Sequence, residues 1–455
     1  MKNSKKRGNF IWLIILLLSW GLANLALAEE LLFQPGKPLT LDQVRAIALK
    51  LHPSLVANKE TVLANKALVE QALAAYYPQV NLNNSYTAFT TNFSTSPISN
   101  PAGGAIGVPT AGPNRWSSTF TDVLNTGVTA TQTIYDFGRT SNTVKINREN
   151  VKSSQEGVSI TRLTVILNVD QAYYGVLQAK RLITVAEDTV KQTKEHLGQA
   201  QAFFRSGTHP KIDVTKAEVD QANAELSLIQ VRNNYQVAIV TLNNAMGLRE
   251  DLQYEIEDSL YYKPREITLA EILKTAFEQR PELSQYKALE RAQEATIKLA
   301  KAGYYPILSG NASYLYRSTG FDKTFYWDWI ISGTLSIPIF SGFSTPAQIA
   351  QGRATLRSLQ AQEENTKLNI RLEGEQAYLG LTLADEQIRV TEKTVSQAKE
   401  NYDLATGRYR VGVGSPLEIT DAEVSLANAR ANYIQALYNY KIGEAKIDKA
   451  MGLNR

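Results

Sequence analysis

The sequence has no cysteine. If the chain is exported, it therefore has no disulfide framework, and no lipid can be attached through an N-terminal cysteine. Its stability must come from packing alone. Histidine is nearly as scarce, and the three present, His52, His196 and His209, fall in different segments without metal-ligand spacing. They read as ordinary surface residues, and neither a metal nor a cofactor is expected. No phosphate-binding loop, dinucleotide fingerprint, HExxH or GxSxG stretch occurs, which argues against an enzyme. Excess charge is also missing where it would matter. The formal net charge of +4 is matched by Lys2, Lys5, Lys6 and Arg7, ahead of the apolar run Phe10 to Leu18 and the small-residue signature Ala26-Leu27-Ala28. Residues 1–28 are thus expected to be a cleaved secretory signal peptide. The remainder is neutral, so no nucleic-acid partner is expected. Beyond residue 28 there is no apolar run of eighteen residues or more, which excludes a further membrane helix.

What is present is a duplication. "LTLDQVRAIALKLHPSL" from Leu39 returns as "ITLAEILKTAFEQRPEL" from Ile267. At the same offset Tyr76-Tyr77-Pro78 matches Tyr304-Tyr305-Pro306, and Ser85-Tyr86 matches Ser313-Tyr314. Farther along, Ile134-Tyr135 matches Ile339-Phe340, Gln171-Ala172-Tyr173 matches Gln376-Ala377-Tyr378, and Ala245-Met246-Gly247-Leu248 matches Ala450-Met451-Gly452-Leu453. The offset falls from 228 to 205 residues between the two sets. The Pro-, Gly- and Ser-rich stretch "STSPISNPAGGAIGVPTAGPNR" accounts for the difference as a long exposed loop. The organisation expected is a first repeat over 29–248, a connector over 249–266 and a second repeat over 267–455.

Each repeat reads helix, strand, loop, strand, long helix, break, helix. The strands are expected at about 80–89, 126–134, 308–317 and 325–337, rich in Tyr, Thr, Val and tryptophan. About ten residues at ~3.3 Å each, tilted, is the span of a membrane barrel strand. Proline marks three of the four strand–helix junctions, at Pro78, Pro306 and Pro338. The long helices are expected from about Arg139 to Phe204 and from Thr345 to Arg408, each spanning roughly 100 Å at 1.5 Å per residue. After the second break, Ile419, Ala422, Leu426, Ala429, Tyr433, Ala436, Tyr440, Gly443, Ile447 and Ala450 alternate spacings of three and four. That period implies left-handed coiled-coil packing. Four membrane strands cannot close a barrel, and an open sheet edge is not viable in lipid. Two copies would supply eight strands, and three would supply twelve.

The duplicated "HPSL" and "RPEL" openings with their "YYP" endings, the junctions "IYDFG" and "PIFSGF", and the break "YRVGVGSPLEITDAE" resemble the TolC-like outer-membrane efflux family over essentially the whole mature chain. The resemblance implies a mostly α protein with a membrane β-barrel. Its homotrimer would form a twelve-stranded barrel in outer-membrane lipid, continued by a long α-helical coiled-coil tunnel into the periplasm, with the connector in an equatorial belt. It implies an exit duct working with a periplasmic adaptor protein and an inner-membrane transporter to export small molecules. The alternatives are the duct of a type I protein secretion system or, in another class, a non-channel periplasmic coiled-coil or adaptor protein.

The break occurs twice, around Gly207-Thr208-His209-Pro210 and Gly412-Val413-Gly414-Ser415-Pro416. Glycine permits the reversal, Ser415 caps the next helix, Pro416 suits its first position and Glu418 would complete a capping box. Family members carry acids just after this turn as a constriction. By position these are Glu418 and Asp421, three apart and on one helix face, with Asp213 in the first repeat and Lys216 where a second acid would stand. The tips Gly207, Thr208, Gly412, Val413, Gly414 and Ser415 are expected to contact the adaptor.

Overall fold

The computed structural model describes residues 38–93, 117–248, 254–319 and 325–453. The expected signal peptide, the whole of the 94–115 loop and the start of the connector lie outside the described residues. The elements in order are α1 (Leu41–Leu51), α2 (Pro53–Leu73), β1 (Gln79–Phe93), β2 (Ser117–Tyr135), α3 (Arg139–Arg205) and α4 (Lys211–Met246). The second half repeats them as α5 (Leu269–Gln279), α6 (Pro281–Lys301), β3 (Ile307–Thr319), β4 (Phe325–Ser336), α7 (Ser344–Arg410) and α8 (Pro416–Ala450). Among the described residues no helix is long and apolar enough to cross a membrane.

The repeat is visible in local chemistry. Thr40 and Gln43 close a capping box on α1, and Thr268 and Glu271 close the same box on α5. Each box satisfies two N–H groups that a helix start leaves free. α3 and α7 have 67 residues each. α4 and α8 end alike. Gly247 (φ 76°) and Gly452 (φ 75°) adopt the left-handed conformation, and the next N–H returns five residues, Leu248 to the Asn243 carbonyl and Leu453 to that of Asp448. This closure needs a glycine at its turn.

The chain divides into two compact units. One contains the sheet, with residues Leu63–Lys152 and Lys287–Gln360. Its four strands form an antiparallel meander in chain order. The register puts Leu82, Val128, Tyr314 and Trp329 in one row across the sheet, with Val80, Ala130, Ala312 and Ile331 in the next row on that face. The opposite face carries Gln79, Thr131, Asn311 and Ser332 in one row and Ser85, Asn125, Arg317 and Tyr326 in another. One face is thus apolar and aromatic, the other largely polar. Val80, Leu82, Trp329 and Ile331 are all exposed. β1, β2 and β3 run longer than the residue pattern indicated. β2 begins at Ser117 rather than near 126, because backbone pairing with β1 extends through a stretch in which Ser, Thr and Asp interrupt the apolar residues Phe120, Val123 and Leu124. β4 stops at Ser336, one residue short of 337, since Pro338 cannot continue the ladder.

The junction without a proline, between β2 and α3, is built otherwise. Asp136 accepts hydrogen bonds from the N–H groups of Gly138 (3.0 Å) and Thr140 (2.7 Å) and from the Thr140 hydroxyl. Phe137 and Gly138 take positive φ, as do Gly342 and Phe343 in the second repeat.

The other unit, with the described residues up to Val62, Ser153–Tyr286 and Ala361–Arg455, holds the main core. Val44, Ile47, Val169, Tyr173, Leu242, Leu260, Ile272, Leu381, Tyr440 and Ile447 pack there. The connector is tied into it. Tyr440 donates to the Lys263 carbonyl (2.9 Å) and accepts from the Arg265 N–H (2.9 Å). Tyr173 donates to the Glu257 carbonyl (2.8 Å), and Tyr262 donates to Asp385. Arg45 of α1 grips Asp170 of α3 through two bonds of 2.7 Å.

The coiled-coil stripe of α8 is observed nearly in full, with nine of its ten positions buried and Tyr433 packed at the margin. At Gly443 the helix approaches α7 closely, since a Cβ there would lie 3.1 Å from Leu381 Cδ1. On α7, Ile370, Ala377, Leu381, Ala384 and Ile388 face inward. A second stripe on the same helix, Leu368, Leu372, Leu379, Leu383, Val390 and Leu404, is exposed. α4 carries a matching exposed stripe of Ile212, Val219, Leu226, Ile229, Val237 and Val240.

Candidate functional site

The two breaks are the same turn. After α3, Gly207 takes φ 76°, its N–H reaches the Phe204 carbonyl (3.0 Å) and the Thr208 N–H reaches that of Phe203 (3.1 Å). After α7, Gly412 takes φ 78°, its N–H reaches Tyr409 (2.9 Å) and the Val413 N–H reaches Arg408 (3.0 Å). Gly414 has a second reason to be glycine, since a Cβ would sit 2.9 Å from the Tyr409 nitrogen. Gly207, Thr208, Gly412, Val413 and Ser415 are exposed and Gly414 is half-buried.

The helix starts that follow differ. Ser415 accepts from the Glu418 N–H (3.2 Å) and Pro416 is the first residue of α8, as expected. The capping box is not closed. The Glu418 carboxylate instead reaches across the turn to Arg408 Nε at 3.3 Å, because that guanidinium gives it a charged partner in place of a backbone N–H. In the first repeat Pro210 occupies the cap itself and offers no side-chain bond.

The three expected acids are not equivalent. Glu418 and Asp421 are exposed on the first turns of α8. Asp213 is half-buried and bonded to His209 Nδ1 at 3.0 Å. Lys216 forms no ion pair among the described residues. The histidines depart from the surface reading. His209 is half-buried and stacks on Phe203, with ring centroids 4.9 Å apart. His196 is only 5% exposed, and both its ring nitrogens lack a hydrogen-bond partner. Burial pushes its imidazole below the ordinary range, so it stays neutral near pH 7. Both rings lie against Tyr409, at 5.3 Å and 5.7 Å. Their sequence separation hid this, since the turn folds 209 back toward 196 and a different helix supplies Tyr409. Among the described residues no group of three His, Cys, Asp or Glu side chains is placed to hold a metal.

A fourth acid was missed. Glu423 is 3% exposed on α8, and burial, then the nearby charge of Asp220, pushes its carboxyl up to about 7. The signal was available, because 423 falls four residues after Ile419 and three before Leu426, on the stripe face. Asp220, on α4, accepts from the Thr420 hydroxyl of α8 at 3.0 Å. The arrangement can hold hairpins together and present charge.

The chain matches the model of a family described as outer membrane efflux protein over residues 44–248 and 272–453. It is 24% identical over 324 residues to the probable efflux pump outer membrane protein TtgC of Pseudomonas putida, covering 70% of this chain and 66% of that protein. It is 22% identical over 304 residues to outer membrane protein TolC of Escherichia coli, covering 64% and 61%. These alignments therefore span just under two thirds of each relative. The crystal structure of the Campylobacter jejuni CmeC outer membrane channel shares the fold, with a TM-score of 0.76, 18% identity and coverage of 90% of this chain and 85% of that one.

Proposed function

The chain belongs to the outer membrane efflux protein family, whose model matches most of both halves, and from that premise we propose that it is the exit duct of a tripartite efflux system, carrying small molecules across the periplasm and the outer membrane. One observation carries the reading. The sheet has an exposed apolar face, a largely polar face, and two outer strands, β1 and β4, each paired on one side only. In lipid those edges must be paired, and in a barrel the apolar face turns to lipid while the polar face lines the lumen. Three copies joined β1 to β4 give twelve strands, and the exposed stripes of α4 and α7 supply the seams through which neighbouring copies pack. Residues 1–28 serve as the export signal, 29–248 and 267–455 as the two repeats, and 249–266 as a belt around the tunnel.

The Gly207 and Gly412 turns form the periplasmic tips that receive an adaptor, which in turn engages an inner-membrane transporter. Exposed Val411, Val413 and Leu417 support docking there. Glu418, Asp421 and Asp213 line the constriction, where threefold symmetry brings their carboxylates around one axis. Small-molecule cargo is supported by the names of two relatives, a toluene efflux pump protein of Pseudomonas putida and a cation efflux system protein of Escherichia coli. Native mass measurement of the detergent-purified protein tests the assembly, with three chains per particle expected. A stable monomer in aqueous buffer would sink the duct.

A further inference from the structure

Next to the sheet, the helices carry charge of one sign. The segments 137–148, 295–306 and 342–356 adjoin β2, β3 and β4, and together they contain six bases and no acid. The bases are Arg139, Lys145 and Arg148 on α3, Lys298 and Lys301 on α6, and Arg353 on α7. Arg148 and Arg353 stand at matching places in the two repeats, 205 residues apart. All but Arg139 are exposed, and none of the six forms an ion pair among the described residues. Asp136, the acid that precedes the first segment, is taken up by the N–H groups of Gly138 and Thr140. At the end of α2, Lys66 and Glu70 cancel. Farther from the sheet bases meet acids again, and Lys152 and Arg291 both reach Glu149, at 2.7 Å and 2.8 Å.

A second feature separates these bases from the strands. Tyr76, Tyr77, Tyr304, Tyr305, Phe340 and Phe343 stand at the strand–helix junctions, and all are exposed. Along the chain, then, an exposed apolar sheet face gives way to aromatic junctions and these to unpaired bases. That order is the order of a lipid leaflet, from tails through the interface to the headgroups. We propose that the six bases form a docking surface for the anionic phospholipid headgroups of the leaflet nearest the helices. The proposal rests on reading the sheet as embedded in the membrane.

Distances decide which bases belong. A headgroup layer is about 5–8 Å deep on each side of the hydrocarbon, and charges are felt for about 8 Å more at physiological salt. Arg148 and Arg353 each lie nine residues past the first residue of their helix, which is about 14 Å at 1.5 Å per residue. They fall inside the sum of the two layers, and Arg139, Lys145, Lys298 and Lys301 lie nearer the strands. Arg357, one turn farther at about 20 Å, falls outside it. The rest of the chain beyond residue 28 is neutral overall, so the excess is local to this band.

The test uses the full chain reconstituted in phosphatidylcholine bilayers. Association of spin-labelled phosphatidylglycerol with the protein is compared with that of spin-labelled phosphatidylcholine. The expected preference for the anionic lipid is about fivefold at ~50 mM salt, the factor that one well-placed base supplies, falling toward one at ~1 M. Lys298→Gln, Lys301→Gln and Arg353→Gln together should at least halve it. Lys298→Arg, Lys301→Arg and Arg353→Lys should leave it unchanged. Lys145→Gln with Arg148→Gln is the second set, should the first assemble poorly, and it should lower the preference as well. Equal association of the two lipids with inserted parent protein, the result expected of bases that line the lumen, would overturn the proposal. So would a preference that the glutamine variants leave intact. Protein that does not insert at all would refute the membrane reading itself, so the two failures are told apart.

Discussion

Replacing Leu379 and Leu383 on α7 with glutamate should break the assembly while leaving the single chain folded. The two leucines are 64% and 56% exposed, so neither supports the chain's own core to any great extent. A leucine moved fully out of water contributes about 1.5–3 kcal/mol. Covering the exposed fractions of the pair is therefore worth about 2–4 kcal/mol per seam, or about 5–11 kcal/mol over the three seams of a closed trimer. The residues are one helical turn apart, so the two terms are not independent. Glutamate adds the cost of an unpaired charge at a contact. Even the lower figure corresponds to more than a thousandfold in the assembly constant, at about 1.4 kcal/mol per tenfold. Native mass spectrometry across a dilution series is the assay, with circular dichroism to verify that the helices persist. A double variant that stays trimeric at the same dilutions as the parent would refute the seam, and with it the role given to the exposed stripe.

Three further outcomes follow from the same geometry. Asp170→Ala strands Arg45, whose two bonds it receives on a side chain 2% exposed, and should cost about 3–5 kcal/mol. Faster limited proteolysis would register it, and Arg45→Met added to that variant should recover much of the loss. Gly247→Ala places a methyl 2.8 Å from His52 Cα at φ 76°, adding about 1–2 kcal/mol of backbone strain to a steric clash. A lowered unfolding temperature is expected, with Gly452→Ala behaving alike, and an unchanged midpoint in both would contradict the turn assignment. Inserting a protease site near Gly103 should allow cleavage on intact cells, since residues 94–116 connect β1 and β2, which the proposed barrel places in the membrane. Cutting only after the outer membrane is breached would place the loop on the wrong side.

Much of the fold is legible because it is repetitive. The start of α3 at Arg139 and the α8 stripe follow directly from period and composition, and three junctions are marked by proline. What escapes the pattern is contact between segments distant in sequence. β2 is longer than the pattern suggests because backbone pairing extends through a stretch in which Ser, Thr and Asp interrupt the apolar residues. Glu418 loses its expected capping bond to Arg408, ten residues earlier but across the turn. His196, His209 and Tyr409 meet only after both hairpins have formed. Glu423 was the exception, since its place on the stripe face was readable and its charge distracted from it.

The central claim, that three chains make one conducting duct whose narrow end is lined by Glu418 and Asp421, is tested most directly by planar-bilayer recording of the purified full chain beside the Glu418→Ala, Asp421→Ala double variant. The account predicts discrete, cation-preferring channels from the parent, and an intact trimer that conducts without that preference from the variant. Absence of any conductance from correctly inserted parent protein would contradict the duct, and unchanged selectivity in the double variant would move the constriction away from these two acids.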